Sequence, residues 1–387
     1  MIMSTPALPA TMKALCKETM GSGISLKTVP TPAVQPGSVI CQSLATAMPS
    51  QIARRLRPSD GPFLFTHPTP NIPGGYSVGR VIAPGPDATL LKAGQLVVCD
   101  PFIRGRDDSD VQILWSAFDG PSPASKKLAA DSWRHGSLAE YVRAPLENTW
   151  AINEARLCGS PSSGGLGYTI PELVSIPVFC VAYGGLRAID LKAGETIVVS
   201  PATGYFSMST VAIANAMGAN VVAVGRDAGK LAKVGEMFPL IKTVVMAGDV
   251  AKDTAAILSA ASGHVDVFAD VSPPTAVGST HLESCIAAVK QYGRVVLMGG
   301  RADSSLPINY ATMVFKNLTI RGSYMYQRED VKGLIKLVES GRLLIGKAGG
   351  FPIVGEFPLE KYEEALDMAE KTPFMEGLVT LGSESGI

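Results

Sequence analysis

The hydrophobic texture of the chain changes near its middle. From Leu173 onward, TIVVS, NVVAVG, TVVMA, VDVFADV, RVVLMGG and LTIRGS are short, continuous apolar runs separated by helical patterns. Strands that are apolar on both faces and alternate with helices predict a parallel sheet covered on both sides. Upstream, short apolar runs such as SVICQSL, YSVGRVIA and GQLVVCD stand in a stretch crowded with Pro and Gly. Those predict short strands closed by turns, a compact β-rich domain. The β texture returns at the end, with a helix at LEKYEEALDMAEK that sets Leu359, Tyr362, Leu366 and Ala369 on one face, then a last strand at GLVTLG. The expected division is a loose tail over 1–11, a β-rich domain over 12–172, a doubly wound α/β domain over 173–321, and a return to the first domain over 322–387.

Length and charge narrow the possibilities. A chain of 387 residues accommodates two sizeable cores. Lys plus Arg (34) equals Asp plus Glu (34), and no basic run stands out, which argues against a nucleic-acid partner. The N-terminal MIMSTPALPATMKAL lacks a charged region followed by an apolar core, and no apolar stretch approaches the roughly 18 residues that a membrane helix needs. A soluble cytoplasmic protein without membrane attachment is expected. The six cysteines lie far apart, with no C-x-x-C pair and no histidine at metal-ligand spacing, so neither a zinc knuckle nor a disulfide framework is indicated. Buried inert thiols are the expectation for most of them.

Val198 to Asp227 reads as strand, tight turn, helix and second strand, the outline of a dinucleotide-binding βαβ unit. In such a unit the free N–H groups and positive dipole end at the helix start attract a pyrophosphate. Of the three glycines usual at G-x-G-x-x-G spacing only Gly204 remains, with Ala202 and Ser207 at the other two positions. The middle glycine lets backbone approach the pyrophosphate, and the others serve the turn and helix packing, where Ala and Ser are tolerable. The turn Ala202, Thr203, Gly204, Tyr205, Phe206, Ser207 is therefore the expected phosphate site, with its helix running from Ser207 to Ala219. At the end of the second strand, where an acid would accept from the ribose 2′-hydroxyl of NAD, stand Gly225 and Arg226. A guanidinium there can hold a 2′-phosphate, which favours NADPH. The alternative leaves Arg226 as a solvated charge and makes Asp227 the ribose ligand.

The segments MKAL, LKTVPTPAVQPGSVICQ, WRHGSLAEYV, LKAGETIVVS, GRVVLMGG, IRGS and FPLEKYEEAL stand in an order and spacing that resembles the medium-chain dehydrogenase/reductase superfamily along nearly the whole chain. The resemblance implies a GroES-like catalytic domain, an inserted Rossmann domain, a C-terminal return, and an active site in the cleft between domains. It also implies that Gly299, Gly300 and Ser323 bind cofactor. Zinc alcohol dehydrogenases of that family hold a catalytic metal with a Cys, a His–Glu pair and a later Cys. The matching positions here are Pro49, Gly75 with Tyr76, and Cys180. One thiol and no imidazole do not make a three-ligand zinc site. The four-cysteine structural lobe is absent as well, since DPFIRGRDDSDVQILWSAFDG contains no cysteine.

Zinc-free branches of the family are mostly reductases of quinones and of C=C bonds conjugated to a carbonyl, so an NADPH-dependent reductase of a small activated alkene is the leading expectation. A zinc-free carbonyl reductase, or alcohol dehydrogenase-like enzyme, stands beside it. A non-catalytic NADPH-binding protein is the reading from another class. Tyr76 either donates to the substrate carbonyl or merely fills the metal's volume. Ser50 and Gln51 flank the lost proton-relay position and are candidate substrate contacts, Gln51 also a candidate catalytic group. Tyr205 either walls the nicotinamide pocket or packs at the helix start. Cys180 is a pocket residue and a relic rather than a nucleophile. His135 is read as structural, and Arg104 and Arg106 as partners of neighbouring acids unless an acidic substrate uses them. GRLLIGKA resembles a P-loop until Ala348, but it follows a helical segment and is read as coincidence. A homodimer through the Rossmann sheet edge, with NLTIRGSYMY as the edge strand, completes the expectations.

Overall fold

The computed structural model describes residues 8–61, 63, 65–300, 306 and 308–383. Most of the expected tail, residues 1–7, lies outside the described residues, and the first strand begins at Thr11. The chain forms two compact units, one of residues 1–178 with 345–387 and one of residues 179–344. The second unit therefore continues past residue 321, the limit expected from the sequence. It takes in the helix Arg328–Glu339, whose buried Val331, Leu334, Ile335 and Val338 form one apolar stripe.

In the first unit a seven-stranded sheet is organised around Ser38–Met48. This strand is long and apolar enough to pair antiparallel with Ser77–Pro84, Tyr141–Pro145 and Leu378–Gly382 along different parts of its length. The last of these is the strand read at GLVTLG, and its register sets Val379 against Met48 and Leu381 against Thr46. The helix Tyr362–Lys371 buries Ala365, Leu366 and Ala369. With Leu359 they join Leu15, Met48, Leu56 and Leu381 in one core. A second core gathers Val39, Val81, Val97, Ile113 and Trp115.

The second unit is a parallel six-stranded sheet. In chain order its strands are Thr196–Ser200, Asn220–Gly225, Lys242–Val245, Val265–Asp270, Val289–Leu297 and Thr319–Gly322. Across the sheet they run third, second, first, fourth, fifth, sixth. That is the doubly wound arrangement, and the order reverses between the first and fourth strands, where crossovers diverge and leave a crevice at the carboxyl ends. TIVVS and VDVFAD are buried at every position, as strands covered on both faces must be. Among the described residues no helix is long and apolar enough to cross a membrane.

Candidate active site

The expected cofactor residues of the second unit gather at the carboxyl ends of its strands. Ala202 is buried and donates its N–H to Val224 O at 2.8 Å, which ties the turn to the second strand. The helix spans Tyr205–Ala216, beginning two residues earlier than the sequence suggests, with Gly204 as its N-cap. Ser207 does more than pack: its Oγ accepts the Gly204 N–H at 2.8 Å, so this hydroxyl caps the turn from within the first helical turn. Gly204 has φ −95°, a value open to any residue, and a Cβ built on it would meet only Ser207 Oγ, at 3.0 Å. Neither backbone conformation nor internal packing demands glycine there. The volume a side chain would fill lies open, as a site for close approach of a pyrophosphate requires. Tyr205 and Phe206 meet edge to face, with centroids 4.7 Å apart.

At the next strand end, Arg226 is exposed and lines a pocket of about 320 Å³ with Met246, Ala247, Gly248, Val277, Gly278, Ser279 and Thr280. Asp227, the alternative ribose ligand, is occupied: its Oδ1 accepts the Lys230 N–H at 3.0 Å as N-cap of Ala228–Met237. Gly225 is buried and faces Leu231 at ordinary contact distance. Gly299 and Gly300 differ in role. A Cβ at Gly299 would lie 2.6 Å from Ser272 N, so packing requires that glycine, whereas a Cβ at Gly300 would meet nothing within 4 Å among the described residues. Ser323 donates its N–H to Leu297 O at 2.9 Å. The pocket's third- and fourth-strand loops escaped the sequence reading, as did a buried network behind Ser279. There His281 Nδ1 lies 2.8 Å from Ser279 Oγ, while its Nε2 lies 2.7 Å from Ser272 Oγ and 3.2 Å from Asp270 Oδ1. Ser272 donates to Asp270 at 2.5 Å, so its hydroxyl is held by a carboxylate, not poised as a nucleophile. Asp270 ending an apolar fourth strand was the available signal.

In the first unit, Pro49 is buried as N-cap of Ser50–Leu56, which starts Ser50 and Gln51 in its first turn. Ser50 is half-buried and Gln51 exposed. Tyr76 is half-buried, and its carbonyl accepts the Ala47 N–H at 2.9 Å, which fixes it alongside the strand leading to Pro49. The sequence thus brings Ser50, Gln51 and Tyr76 to one end of the Ser38–Met48 strand. Cys180 is fully buried in the helix Ser175–Ala188 and lies in the other unit.

A zinc ion does not suit these residues. Pro49, Gly75 and Tyr76 offer no imidazole, carboxylate or thiol, and among the described residues no three His, Cys, Asp or Glu side chains converge on a common point. Gly75 adds a steric reason, because a Cβ there would lie 2.9 Å from Pro101 Cβ and 3.3 Å from Trp115 O. No side chain of any kind fits that position without displacing a proline ring.

The remaining candidates are structural. His135 Nδ1 accepts the Ile72 N–H at 3.2 Å and its carbonyl accepts from the Trp115 indole at 2.9 Å. Burial, then Arg134 and Arg143, lowers its pKa, consistent with a neutral acceptor. Arg106 pairs with Glu147, far along the chain, and not with the acids that follow it in IRGRDD. Arg104 lies over the Phe102 ring at 4.4 Å. In GRLLIGKA the Lys347 N–H donates to Glu172 Oε1 at 2.6 Å, so a carboxylate of the chain itself fills the place of a phosphate. All six cysteines are free and five are buried, Cys158 being the half-buried one.

Backbone amides and glycines gathered at the carboxyl ends of a doubly wound sheet are the arrangement found in nicotinamide-dependent oxidoreductases, and the family matches agree. The alcohol dehydrogenase GroES-like domain family matches residues 40–154 and the zinc-binding dehydrogenase family residues 207–340, together well over half of the chain. The chain belongs to the medium-chain dehydrogenase/reductase superfamily. It is 24% identical over 343 residues to an alcohol dehydrogenase of Moraxella sp. strain TAE123, covering 86% of this chain and 90% of that one. It is 26% identical over 199 residues to an acryloyl-coenzyme A reductase of Metallosphaera sedula, covering 50% and 54%. Among solved structures it is similar in fold to AibC, with TM-score 0.75, 20% identity and coverage of 97% and 96%.

Proposed function

We propose that this chain is a zinc-independent, NADPH-dependent reductase that delivers a hydride to an activated C=C bond of a small enone or quinone-like molecule. The observation that carries this reading is the ligand-poor position Gly75–Tyr76, where packing leaves no room for a metal-binding side chain and a phenol stands instead. NADPH, when bound, supplies the hydride. The Gly204 turn and the start of helix Tyr205–Ala216 would hold its pyrophosphate, and Arg226 its 2′-phosphate. Without a Lewis acid, negative charge developing on the substrate oxygen must be met by hydrogen-bond donors. Tyr76 Oη is assigned that task, with Ser50 and Gln51 contacting substrate. Hydride added at the β-carbon would shift the C=C pair into the bond between the α-carbon and the carbonyl carbon and the carbonyl pair onto oxygen, and the resulting enolate would take a proton at the α-carbon from water, releasing hydroxide to solvent.

The acryloyl-coenzyme A reductase relative acts, by its name, on such a conjugated bond, while the alcohol dehydrogenase relative supports the second reading, reduction of C=O on the same site. Consumption of NADPH against a panel of enones, quinones and ketones, with products identified, separates them. Elemental analysis of the same preparation should find no stoichiometric zinc, and chelators should leave turnover unchanged. One tight zinc per chain would refute the reading of Gly75 and Tyr76.

NADPH preference rests on Arg226 facing its pocket while Asp227 is engaged in a helix cap. Arg226→Ala should weaken NADPH binding by about 1.5–3 kcal/mol, the usual range for a hydrogen bond to a charged group, and leave NADH nearly unaffected. Titration of both cofactors checks this, and equal weakening of both would contradict it. We also propose pairing of two copies through the edge strand Thr319–Gly322. Beside it in sequence, Tyr310 and Phe315 are 82% and 77% exposed. Sedimentation should then report twice the 40.5 kDa chain mass, and a Phe315→Glu change should shift the protein to monomer.

A further inference from the structure

Around Arg55, within the first unit, positive charge outweighs negative among the described residues. Arg55, on the helix Ser50–Leu56, is exposed, and its Nη2 donates to Ala117 O at 2.6 Å. Its guanidinium lies 5.6 Å from the centre of the Phe65 ring, which itself meets Phe118 edge to face at 5.0 Å. The Tyr76 phenol acts on the same guanidinium electrostatically. Although it touches water, Arg55 is crowded by protein, and this partial desolvation lowers its pKa. Behind it Lys17 is 1% exposed, with its ammonium donating to the carbonyls of Ser22 and Arg55. Among the described residues neither Lys17 nor Arg55 forms an ion pair.

Buried polar atoms in the same cluster also lack partners. Both ring nitrogens of His67 and both amide atoms of Asn71 are shut away from solvent with no hydrogen-bond partner among the described residues. Asn71 is 1% exposed, and its backbone pairs with that of Lys17. Burial, then the fields of Arg55 and Lys17, pulls the His67 pKa down to about 4, so its ring is neutral at pH 7 and carries a free N–H. Orphaned donors of this kind call for an explanation. Asp119 opposes the two cations at His67, and its Oδ1 already accepts from Thr66 Oγ1 at 2.8 Å. Two cations against one carboxylate leave a single net positive charge.

We propose that Arg55 is a specificity-determining residue that binds a carboxylate carried by the substrate, so that the preferred substrate is the monoanion of an unsaturated or keto acid. One net charge matches a carboxylate better than a doubly charged phosphate. A planar guanidinium takes a carboxylate through two parallel hydrogen bonds, and Lys17 strengthens the attraction from a distance. The inference rests on the reading of Tyr76 as the carbonyl donor, because the Tyr76 phenol and the Arg55 guanidinium act on one another electrostatically.

The test separates binding from turnover. Calorimetry on the full chain with NADP⁺ compares 4-oxopentanoate with its methyl ester. The acid should bind at least tenfold more tightly than the ester, Arg55→Met should bring the acid down to the level of the ester, and Arg55→Lys should restore part of the difference. Melting curves identify any variant that fails to fold, in which case Arg55→Lys and the wild-type comparison still decide. Equal binding of acid and ester by the wild type, binding of neither, or an acid preference that survives Arg55→Met would overturn the proposal. Turnover of 4-oxopent-2-enoate reads the other question: an acid that binds through Arg55 and is never reduced sinks the reductase reading and leaves this inference standing. Reduction of neutral enones with no preference for acids does the reverse.

Discussion

Gly204→Val should weaken binding of both NADPH and NADH at least a hundredfold while the protein keeps its fold. The expectation comes from what surrounds the missing side chain. At φ −95° and ψ 178° the backbone of Gly204 is extended, a conformation valine adopts readily. The new Cβ meets only the Ser207 hydroxyl, which can rotate away. Valine is a poorer N-cap than glycine, so a stability loss of about 1 kcal/mol is expected. Binding is affected far more, because a branched side chain then stands where backbone must touch the pyrophosphate. At least a hundredfold weakening, about 2.7 kcal/mol, should follow for each cofactor. Cofactor titration with thermal melting checks both halves. Retained binding of either cofactor would mean that the dinucleotide does not cross this turn.

Tyr76→Phe should reduce turnover by at least an order of magnitude with little change in melting temperature. The substitution keeps the ring and removes only the hydroxyl. Loss of one donor to a developing oxyanion costs about 2.7–4 kcal/mol in favourable cases. If the phenol acts mainly in the transition state, kcat and kcat/KM should fall together while cofactor affinity stays constant. An unchanged rate would make Tyr76 a filler of space. Single-turnover measurement of NADPH oxidation is the appropriate reading, since slow product release would hide a smaller effect on chemistry.

The Rossmann half was legible because its signals are local. Six apolar runs each became a strand, and Gly204, Ala202 and Ser207 fell on one turn because their spacing is dictated by a single strand-to-helix junction. The pocket facing Arg226 was not legible, since Met246 and Val277 come from loops separated by about thirty residues and share no pattern with one another. Ser207 shows the limit within a recognised motif. Its residue type suited close packing, yet its hydroxyl caps Gly204, a choice made by side-chain rotamer and invisible in the sequence. In the β-rich half, Tyr76 and Gln51 could be singled out only by position in a resemblance. The company kept by Arg55 was hidden for a different reason: Lys17, Arg55, His67 and Asn71 converge from separate parts of the chain, and nothing about each alone marks it.

The tight fit at Gly75 bears on how a zinc ligand could be introduced at that position. A histidine introduced there must first push aside the Pro101 ring, 2.9 Å from its Cβ, and crowds the Trp115 carbonyl at 3.3 Å. The first mutational step toward a zinc site is therefore a destabilised protein with a single new ligand and no ion to hold it. Building such a site would have to begin at Pro101 and end at Gly75. A change made one viable residue at a time meets its steepest step at Gly75, and a designer wishing to install a metal there should start from the proline.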